Sequence, residues 1–281
     1  MLVVANNIST RNIQVARLFR QKISGCEDAD SRAYSSLQNL AEACLKSGAN
    51  MLEINLQQRF DKPEYAEFAV NAVQDICDCQ LCLSVNNVDT LEAGLKTCRR
   101  PPLVNYVTFE TGRLEETLPL AAKHNADIVL LISDPSSPGD ARQMLEKAAI
   151  LVGAANNAGI PNERILIDPG IFHVTKEPGQ RHLREVIEFL RNVPEFFDPQ
   201  VKTTCWLSNS SAGAPSRLRP VVETMLLAVL FGTGLSSVFL DVLKLENQRA
   251  IRLLKIFNND EVYADDSLIL QSVAPGPGRK E

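Results

Sequence analysis

The chain alternates short apolar runs with longer segments in which apolar residues recur at helical spacing. Near-continuous apolar runs are typical of parallel strands buried on both faces, and Leu37, Ala41 and Cys44 mark one face of an intervening helix. Gly48 and Gly159 stand where two such helices are expected to end. The predicted strands comprise residues 2–5, 51–55, 81–85, 104–108, 128–131, 165–167, 203–207 and 238–240.

Eight strands alternating with helices over 281 residues predict a single α/β domain, a closed (β/α)8 TIM barrel. An open doubly wound sheet is the alternative, but Asn-Asn-Ile-Ser at 6–9 stands where that fold would place a glycine-rich loop. The long interval after the first strand predicts two helices, at about 12–24 and 30–47. We expect the barrel to span residues 1–264 and residues 265–281 to form a partly disordered tail.

Composition narrows the choice of partners. The chain has 29 Lys and Arg against 34 Asp and Glu, and no basic stripe, so a nucleic-acid partner is not expected. A membrane helix needs about 20 consecutive apolar residues, whereas charged residues and glycines interrupt the longest apolar segment, 221–242. Seven cysteines without an export signal favour reduced thiols. We therefore expect a cytoplasmic protein with no membrane partner.

Cys77, Cys79 and Cys82 form a cluster that could suggest a metal site. The first two lie near the end of a predicted helix and Cys82 lies in the third strand, with no fourth ligand nearby in sequence. A structural role is therefore favoured, and no metal is expected. Neither HExxH nor a Ser/His/Asp arrangement is visible, so the sequence gives no support for zinc-dependent or nucleophilic hydrolysis.

Active sites of β/α barrels lie at the C-terminal ends of the strands, whatever the reaction. Polar side chains near those ends are therefore the candidates, and most are neutral amides and hydroxyls, which suit a flat neutral heterocycle better than a phosphate. They are Asn6, Asn7, Ser9, Glu53, Asn55, Gln57, Ser84, Asn86, Asn87, Asn105, Thr108, Ser133, Asp134, Asp168, His173, Ser208, Asn209, Ser210 and Asp241.

Four of these candidates also have structural interpretations. Asp168 precedes Pro-Gly and could serve only a turn, while Asn209 could cap the next helix. Asn105 and Glu53 lie within apolar strands, where a buried amide or carboxylate needs partners. Either neighbouring strands or a ligand could supply those partners.

Five motifs together carry a resemblance to a known family. They are Leu-Cys-Leu at 81–83, Leu-Glu-Ala-Gly-Leu-Lys-Thr-Cys at 91–98, Ile-Asp-Pro at 167–169, Leu-Ser-Asn at 207–209 and Val-Tyr-Ala-Asp-Asp-Ser at 262–267. With them the chain resembles the methyltetrahydrofolate:corrinoid methyltransferases, relatives of dihydropteroate synthase and of the folate domain of cobalamin-dependent methionine synthase. The resemblance implies a TIM barrel of the pterin-binding type.

In that family an Asp at the end of strand three, an Asn on strand four, an Asp after strand six and an Asn after strand seven hold the pterin. Asn105, Asp168 and Asn209 match the last three positions. The resemblance implies 5-methyltetrahydrofolate as substrate and methyl transfer to or from the cobalt of a corrinoid (cobalamin) on a separate protein, without a covalent enzyme intermediate. Asp168 would pair with the amino-pyrimidine edge, and Asn209 would be the catalytic residue beside the methyl-bearing nitrogen.

Three motifs depart from the family pattern. Asp-Ser-Thr-Asn of strand three becomes Ser-Val-Asn-Asn at 84–87, Gly-Glu-Arg-Ile-Asn becomes Ala-Asn-Asn-Ile-Ser at 5–9, and Leu-Asp-x-Asn becomes Leu-Glu-Ile-Asn at 52–55. The alternative hypothesis is a non-catalytic or re-purposed barrel that binds another heterocycle or a protein. Dihydropteroate synthase fits less well, because its strand-seven Lys is missing.

The resemblance also implies a corrinoid protein as partner and a homodimer formed through barrel helices. The complete pterin-binding prediction is Glu53, Asn55, Ser84, Asn86, Asn87, Asn105, Asp168, Ser208 and Asn209.

Overall fold

The computed structural model describes residues 1–23, 27–57, 60–109, 111–133 and 138–264. Asp134, the end of the 262–267 motif and the predicted tail at 265–281 lie outside these residues. All described helices and strands lie between Leu2 and Phe257.

Eight parallel strands form one sheet in the order β7-β6-β5-β4-β3-β2-β1-β8. A parallel bridge between Trp206 and Phe239 joins the chain after β7 to β8 and nearly closes the barrel. This arrangement confirms the predicted (β/α)8 fold. The strands are β1 (Leu2–Ser9), β2 (Met51–Asn55), β3 (Gln80–Ser84), β4 (Leu103–Val107), β5 (Asp127–Leu131), β6 (Ile165–Asp168), β7 (Lys202–Thr203) and β8 (Ser237–Leu240).

Helices surround the strands, and two of them occupy the interval between β1 and β2, as predicted. Side-chain hydrogen bonds cap the N-termini of two of these helices. Asp140 and Gln143 form a capping box at α6, and the Asn87 side chain accepts a hydrogen bond at the start of α4. The helices are α1 (Ile13–Ile23), α2 (Glu27–Lys46), α3 (Pro63–Gln74), α4 (Val88–Thr97), α5 (Thr111–Lys123), α6 (Ala141–Asn157), α7 (Glu177–Phe196), α8 (Arg219–Gly232) and α9 (Leu245–Phe257).

The core has two parts. The larger one lies between the strands and the helices, and the smaller one comprises alternate strand residues inside the barrel, including Met51, Cys82, Leu103 and Phe239. Because side chains alternate along a strand, the residues two positions further along each strand point into the same interior, nearer its C-terminal end. At that end of the barrel interior the side chains are polar.

Two strand predictions were wrong in their bounds. β1 continues to Ser9, so Asn6 and Asn7 lie within the strand, at an irregularity in its pairing with β2, and do not form a loop after it. Asn7 donates to Asp241 and accepts from the Val242 amide at 3.2 Å, which links the ends of β1 and β8. β7 ends at Thr203 because the following backbone pairs with β8 only through isolated contacts.

Two predicted absences can be compared with the described residues. No described helix is long and apolar enough to cross a membrane. Within the same residues, no group of three His, Cys, Asp or Glu side chains is arranged to hold a metal ion. Cys82 is buried in β3, whereas the Cys77 and Cys79 sulfur atoms lie 2.8 Å apart after α3.

Candidate functional site at the C-terminal end of the barrel

A cavity of about 330 Å³ opens at the C-terminal end of the barrel. Residues from the ends of several strands meet in its wall, as the fold requires of a barrel site. The sequence candidates that line the cavity are Asn55, Gln57, Ser84, Asn86, Asn105, Ser133, Asp168 and Asn209.

Asp168, the last residue of β6, contributes a carboxylate to this wall. It is 5% exposed, and its Oδ1 accepts a hydrogen bond from the Gly170 amide at 2.7 Å. Gly170 has φ of +73°, and a Cβ there would lie 2.8 Å from the Ser133 Cβ, so a glycine is needed. Asp168 therefore closes a turn and lines the cavity as well. Its Oδ2 has no hydrogen-bond partner among the described residues.

Burial raises the pKa of Asp168 to about 7, and the hydrogen bond from Gly170 opposes the shift only in part. No described cation pairs with this carboxylate. A ligand with N–H donors would supply the hydrogen bonds that its charged form lacks.

Glu53 lies in β2, beneath the cavity, and is not part of its lining. The side chain is fully buried, and Oε1 accepts hydrogen bonds from Asn55 Nδ2 at 3.1 Å, Asn105 Nδ2 at 3.4 Å and the Ser84 hydroxyl. Asn105 Nδ2 also donates to Ser84 Oγ at 2.8 Å. Burial raises the pKa of Glu53 to about 7, against the lowering effect of the donors. Neighbouring strands thus supply partners for both buried polar groups singled out in the sequence.

Three oxygens of this network lack hydrogen-bond partners among the described residues. Oδ1 of Asn55, Oδ1 of Asn105 and Oε2 of Glu53 are buried and have no hydrogen-bond partner among the described residues. Asn55 and Asn105 both line the cavity. Buried polar atoms in folded proteins are nearly always paired, so these three oxygens are exceptions among the described residues, and each is shielded from solvent.

Asn209 lies in a 3-10 helix, Leu207–Ser211, between β7 and α8. It does not cap α8, which begins at Arg219 and has Leu218 at its N-cap. The loop is anchored from below, since the Ser211 hydroxyl donates to Glu223 at 2.7 Å. Glu223 is 2% exposed and also accepts from Lys244 Nζ at 2.9 Å.

Aromatic side chains and one cation complete the wall: Tyr106, Phe172, Trp206 and Arg11. Trp206 stacks on Phe239 with ring centroids 5.3 Å apart, and the Arg11 guanidinium lies 6.0 Å from the Trp206 ring. Phe172 stacks on the buried ring of His182 at 4.0 Å. The wall therefore offers flat apolar surfaces beside hydrogen-bonding groups, which suits a planar heterocycle.

A family model described as "Pterin binding enzyme" matches residues 24–238, which is more than half of the chain. The chain belongs to this family. Methylcorrinoid:tetrahydrofolate methyltransferase of Eubacterium limosum is 25% identical over 209 residues, covering 73% of this chain and 73% of that protein. Methionine synthase of Mycobacterium tuberculosis is 26% identical over 245 residues, covering 80% of this chain. The matched region is only 20% of that methionine synthase.

Solved structures agree on the fold. Dihydropteroate synthase from Stenotrophomonas maltophilia, with imidazole bound in its active site, gives a TM-score of 0.63 at 13% identity, covering 94% of each chain. Dihydropteroate synthase of Yersinia pestis with a pterine-sulfa conjugate gives 0.66 at 14% identity, covering 92% of this chain and 94% of that chain. Together with the family match, these structures confirm a pterin-binding type of (β/α)8 barrel.

Three residues of the predicted pterin site of this family member lie outside the cavity wall: Glu53, Asn87 and Ser208. The Asn87 side chain accepts from the Thr90 amide at 3.1 Å and caps α4. Glu53 lies one layer below the wall. Asn87 therefore stabilises the start of α4. Glu53 does not line the cavity but forms hydrogen bonds with residues that do.

Sequence reasoning missed Arg11, Tyr106, Phe172 and Trp206 in this pterin-binding barrel. Arg11 follows β1, which is longer than predicted, and Phe172 lies in the loop after β6, where the prediction covers only polar residues. Trp206 is the single tryptophan and directly precedes the Leu-Ser-Asn motif, which is a signal that could have identified it.

Proposed function

We propose that this pterin binding enzyme is a methyltransferase that moves the methyl group of 5-methyltetrahydrofolate to or from the cobalt of a corrinoid protein. The observation that carries the proposal is the meeting of Asn105, Asp168 and Asn209 in one cavity wall. The named relatives, a methylcorrinoid:tetrahydrofolate methyltransferase and methionine synthases, support the same reaction class.

In this proposal the pterin ring lies along the aromatic wall and Asp168 accepts N–H donors from its amino-pyrimidine edge. Asp168 Oδ2 has no hydrogen-bond partner in the part of the chain that the structure describes, and the pKa of the carboxyl is raised. Both favour such a ligand, because its donors would stabilise the ionised carboxylate. Asn105 lines the same cavity and would contact the ring. Binding thus fixes the ring by hydrogen bonds to a carboxylate oxygen that has no partner among the described residues.

Asn209 would act beside N5, the nitrogen that carries the methyl group. The N–CH3 bond breaks with its electron pair left on N5, which takes up a proton, while Co(I) of the corrinoid substrate supplies the pair for the new Co–C bond. Asn209 would stabilise the charge that shifts at N5, so the work of the protein is positioning and electrostatic support. No covalent bond to the enzyme is needed.

The proposal also includes a separate corrinoid protein as partner, a cytoplasmic location and a homodimer. An open cavity at the barrel end leaves room for a large second substrate to approach the pterin.

A single-turnover methyl transfer tests the function. Purified protein saturated with 5-methyltetrahydrofolate is mixed with Co(I) cobalamin, and the loss of the Co(I) spectrum is followed against that of methylcobalamin. We expect transfer in the wild type, a fall of roughly 10²- to 10³-fold in Asn209→Ala, as for loss of one preorganised donor, and no change in Asn192→Ala on the outer helix α7. Pterin binding with no transfer in either direction would favour the re-purposed barrel instead.

A further inference from the structure

Glu53 is a buried carboxylate whose three hydrogen bonds converge on one oxygen. Its Oε1 accepts from the Asn55 amide, the Asn105 amide and the Ser84 hydroxyl, while Oε2 has no partner among the described residues. Burying an ionisable group is costly, and an apolar side chain would fill this interior position at lower cost. Fold stability alone therefore does not account for Glu53.

The contacts of Glu53 determine the orientation of two amides in the cavity wall. Asn55 and Asn105 both turn Nδ2 toward Glu53, and each leaves Oδ1 buried without a partner among the described residues. Rotating either amide by about 180° would bring its oxygen against the Oε1 acceptor, where no hydrogen bond is possible. Glu53 therefore opposes the flipped arrangement of both amides.

Ser84 belongs to the same arrangement. Its hydroxyl donates to Glu53 and its oxygen accepts from Asn105 Nδ2 at 2.8 Å, so the hydroxyl proton is committed below the cavity. Ser84 then offers a ligand no donor, and it supports the Asn105 orientation from a second side.

We propose that Glu53 is a positioning residue that holds the Asn55 and Asn105 amides in one orientation in the cavity wall. Because both amides are fixed before a ligand enters, binding does not have to order them. The effect on pterin binding rests on the proposed function, whereas the fixed orientation of the amides does not.

A ligand-free measurement tests the positioning first. Side-chain NH2 signals of Asn55 and Asn105 are followed by two-dimensional ¹⁵N NMR in the wild type and assigned with Asn55→Asp and Asn105→Asp. Glu53→Gln keeps a carbonyl acceptor at this position, whereas Glu53→Met fills similar volume without one. We expect both signals to keep their shifts and slow hydrogen exchange in Glu53→Gln, and to lose them in a folded Glu53→Met. Unchanged amides in Glu53→Met would overturn the proposal, as would amides released equally in Glu53→Gln.

Calorimetry with 5-methyltetrahydrofolate tests the consequence for binding. Glu53→Met is expected to weaken affinity roughly 5- to 150-fold, the range for two lost neutral hydrogen bonds, and Glu53→Gln to stay within about threefold of wild type. In the Asn105→Ala background the effect of Glu53→Met should shrink, because the two residues act through one contact. If the effects of Glu53→Met and Asn105→Ala are additive and Glu53→Gln does not restore affinity, the link between the fixed amides and ligand binding is overturned. If the wild type binds no pterin, the proposed function fails, and the amide signals alone decide the role of Glu53.

Discussion

Asp168→Asn should weaken pterin binding and also remove the part of its pH dependence that comes from the Asp168 carboxyl. The Asp168 carboxylate is 5% exposed, has one hydrogen bond from Gly170, and has a pKa raised to about 7 by burial. The proposed ligand donates N–H groups to its ionised form. Below pH 7 the ligand-free carboxyl holds a proton that must leave on binding, so affinity should fall as the pH is lowered.

The expected change in affinity has two parts, the loss of a hydrogen bond to a charged group and the cost of deprotonating Asp168. A hydrogen bond to a charged group contributes about 1.5–3 kcal/mol, so Asp168→Asn should cost roughly 10- to 150-fold in affinity at pH 8. Each pH unit below the raised pKa should cost the wild type up to about tenfold, and no such cost should appear above it. Asp168→Asn does not titrate, so its affinity profile contains only the titration of the ligand and of other groups.

Calorimetric titrations of wild type and Asp168→Asn between pH 5.5 and 8.5 measure both parts. Asp78→Asn is the matched control, since the Asp78 side chain is 84% exposed and precedes β3, at the opposite end of the strand from the cavity. A wild-type affinity that stays constant down to pH 6, or the same slope in Asp168→Asn, would refute the assignment of Asp168 to the pterin.

The other predictions concern the supports of the cavity. Burial raises the pKa of Glu53 from 4.5 to about 7, so the folded state retains a proton that the unfolded state loses between these values. The stabilisation of the folded wild type by this bound proton is full below pH 4.5 and is lost as the pH rises through about 7. Between pH 5 and pH 8 the wild type should therefore lose roughly 2–3 kcal/mol of unfolding free energy relative to Glu53→Gln, which does not titrate. Urea unfolding that gives the same difference between the two proteins at both pH values would contradict this. Glu223→Ala removes the partner of Ser211 and should lower the free energy of unfolding by about 1.5–3 kcal/mol. It should also reduce kcat, because Ser211 lies in the same loop as Asn209. If denaturation and steady-state kinetics match those of the wild type, Glu223 does not anchor this loop. Trp206 is the only tryptophan, so ligand should change the intrinsic fluorescence of the wild type and leave Trp206→Phe silent, whereas a saturating ligand without a signal would place binding elsewhere.

The fold could be predicted because strands that are buried on both faces consist of nearly continuous apolar residues. The run at 51–55 coincides with β2, and the flanking runs at 81–85 and 104–108 are each displaced by one residue from β3 and β4. The same apolar pattern did not predict the full length of β1, because Asn6 and Asn7 are polar. These two residues continue the strand through pairing with other strands, which the local sequence does not show. Tertiary pairing similarly overrides local pattern in β7, which is shorter than its apolar run.

The site could be predicted in part, because barrel topology places strand ends together. Asp168 and Asn105 could be selected from position alone, and the resemblance added their expected roles. The orientation of the Asn105 amide could not be predicted, since it depends on Glu53 and Ser84 from two other strands. Trp206 was missed because an aromatic residue in an apolar run is ordinarily packed in the core.

The most direct test of the central claim is a calorimetric titration of the purified protein with 5-methyltetrahydrofolate, beside Asp168→Ala. The account predicts saturable micromolar binding with one ligand per chain, which Asp168→Ala loses while remaining folded. No binding by the wild type at millimolar ligand would contradict the assignment of this cavity to a folate substrate.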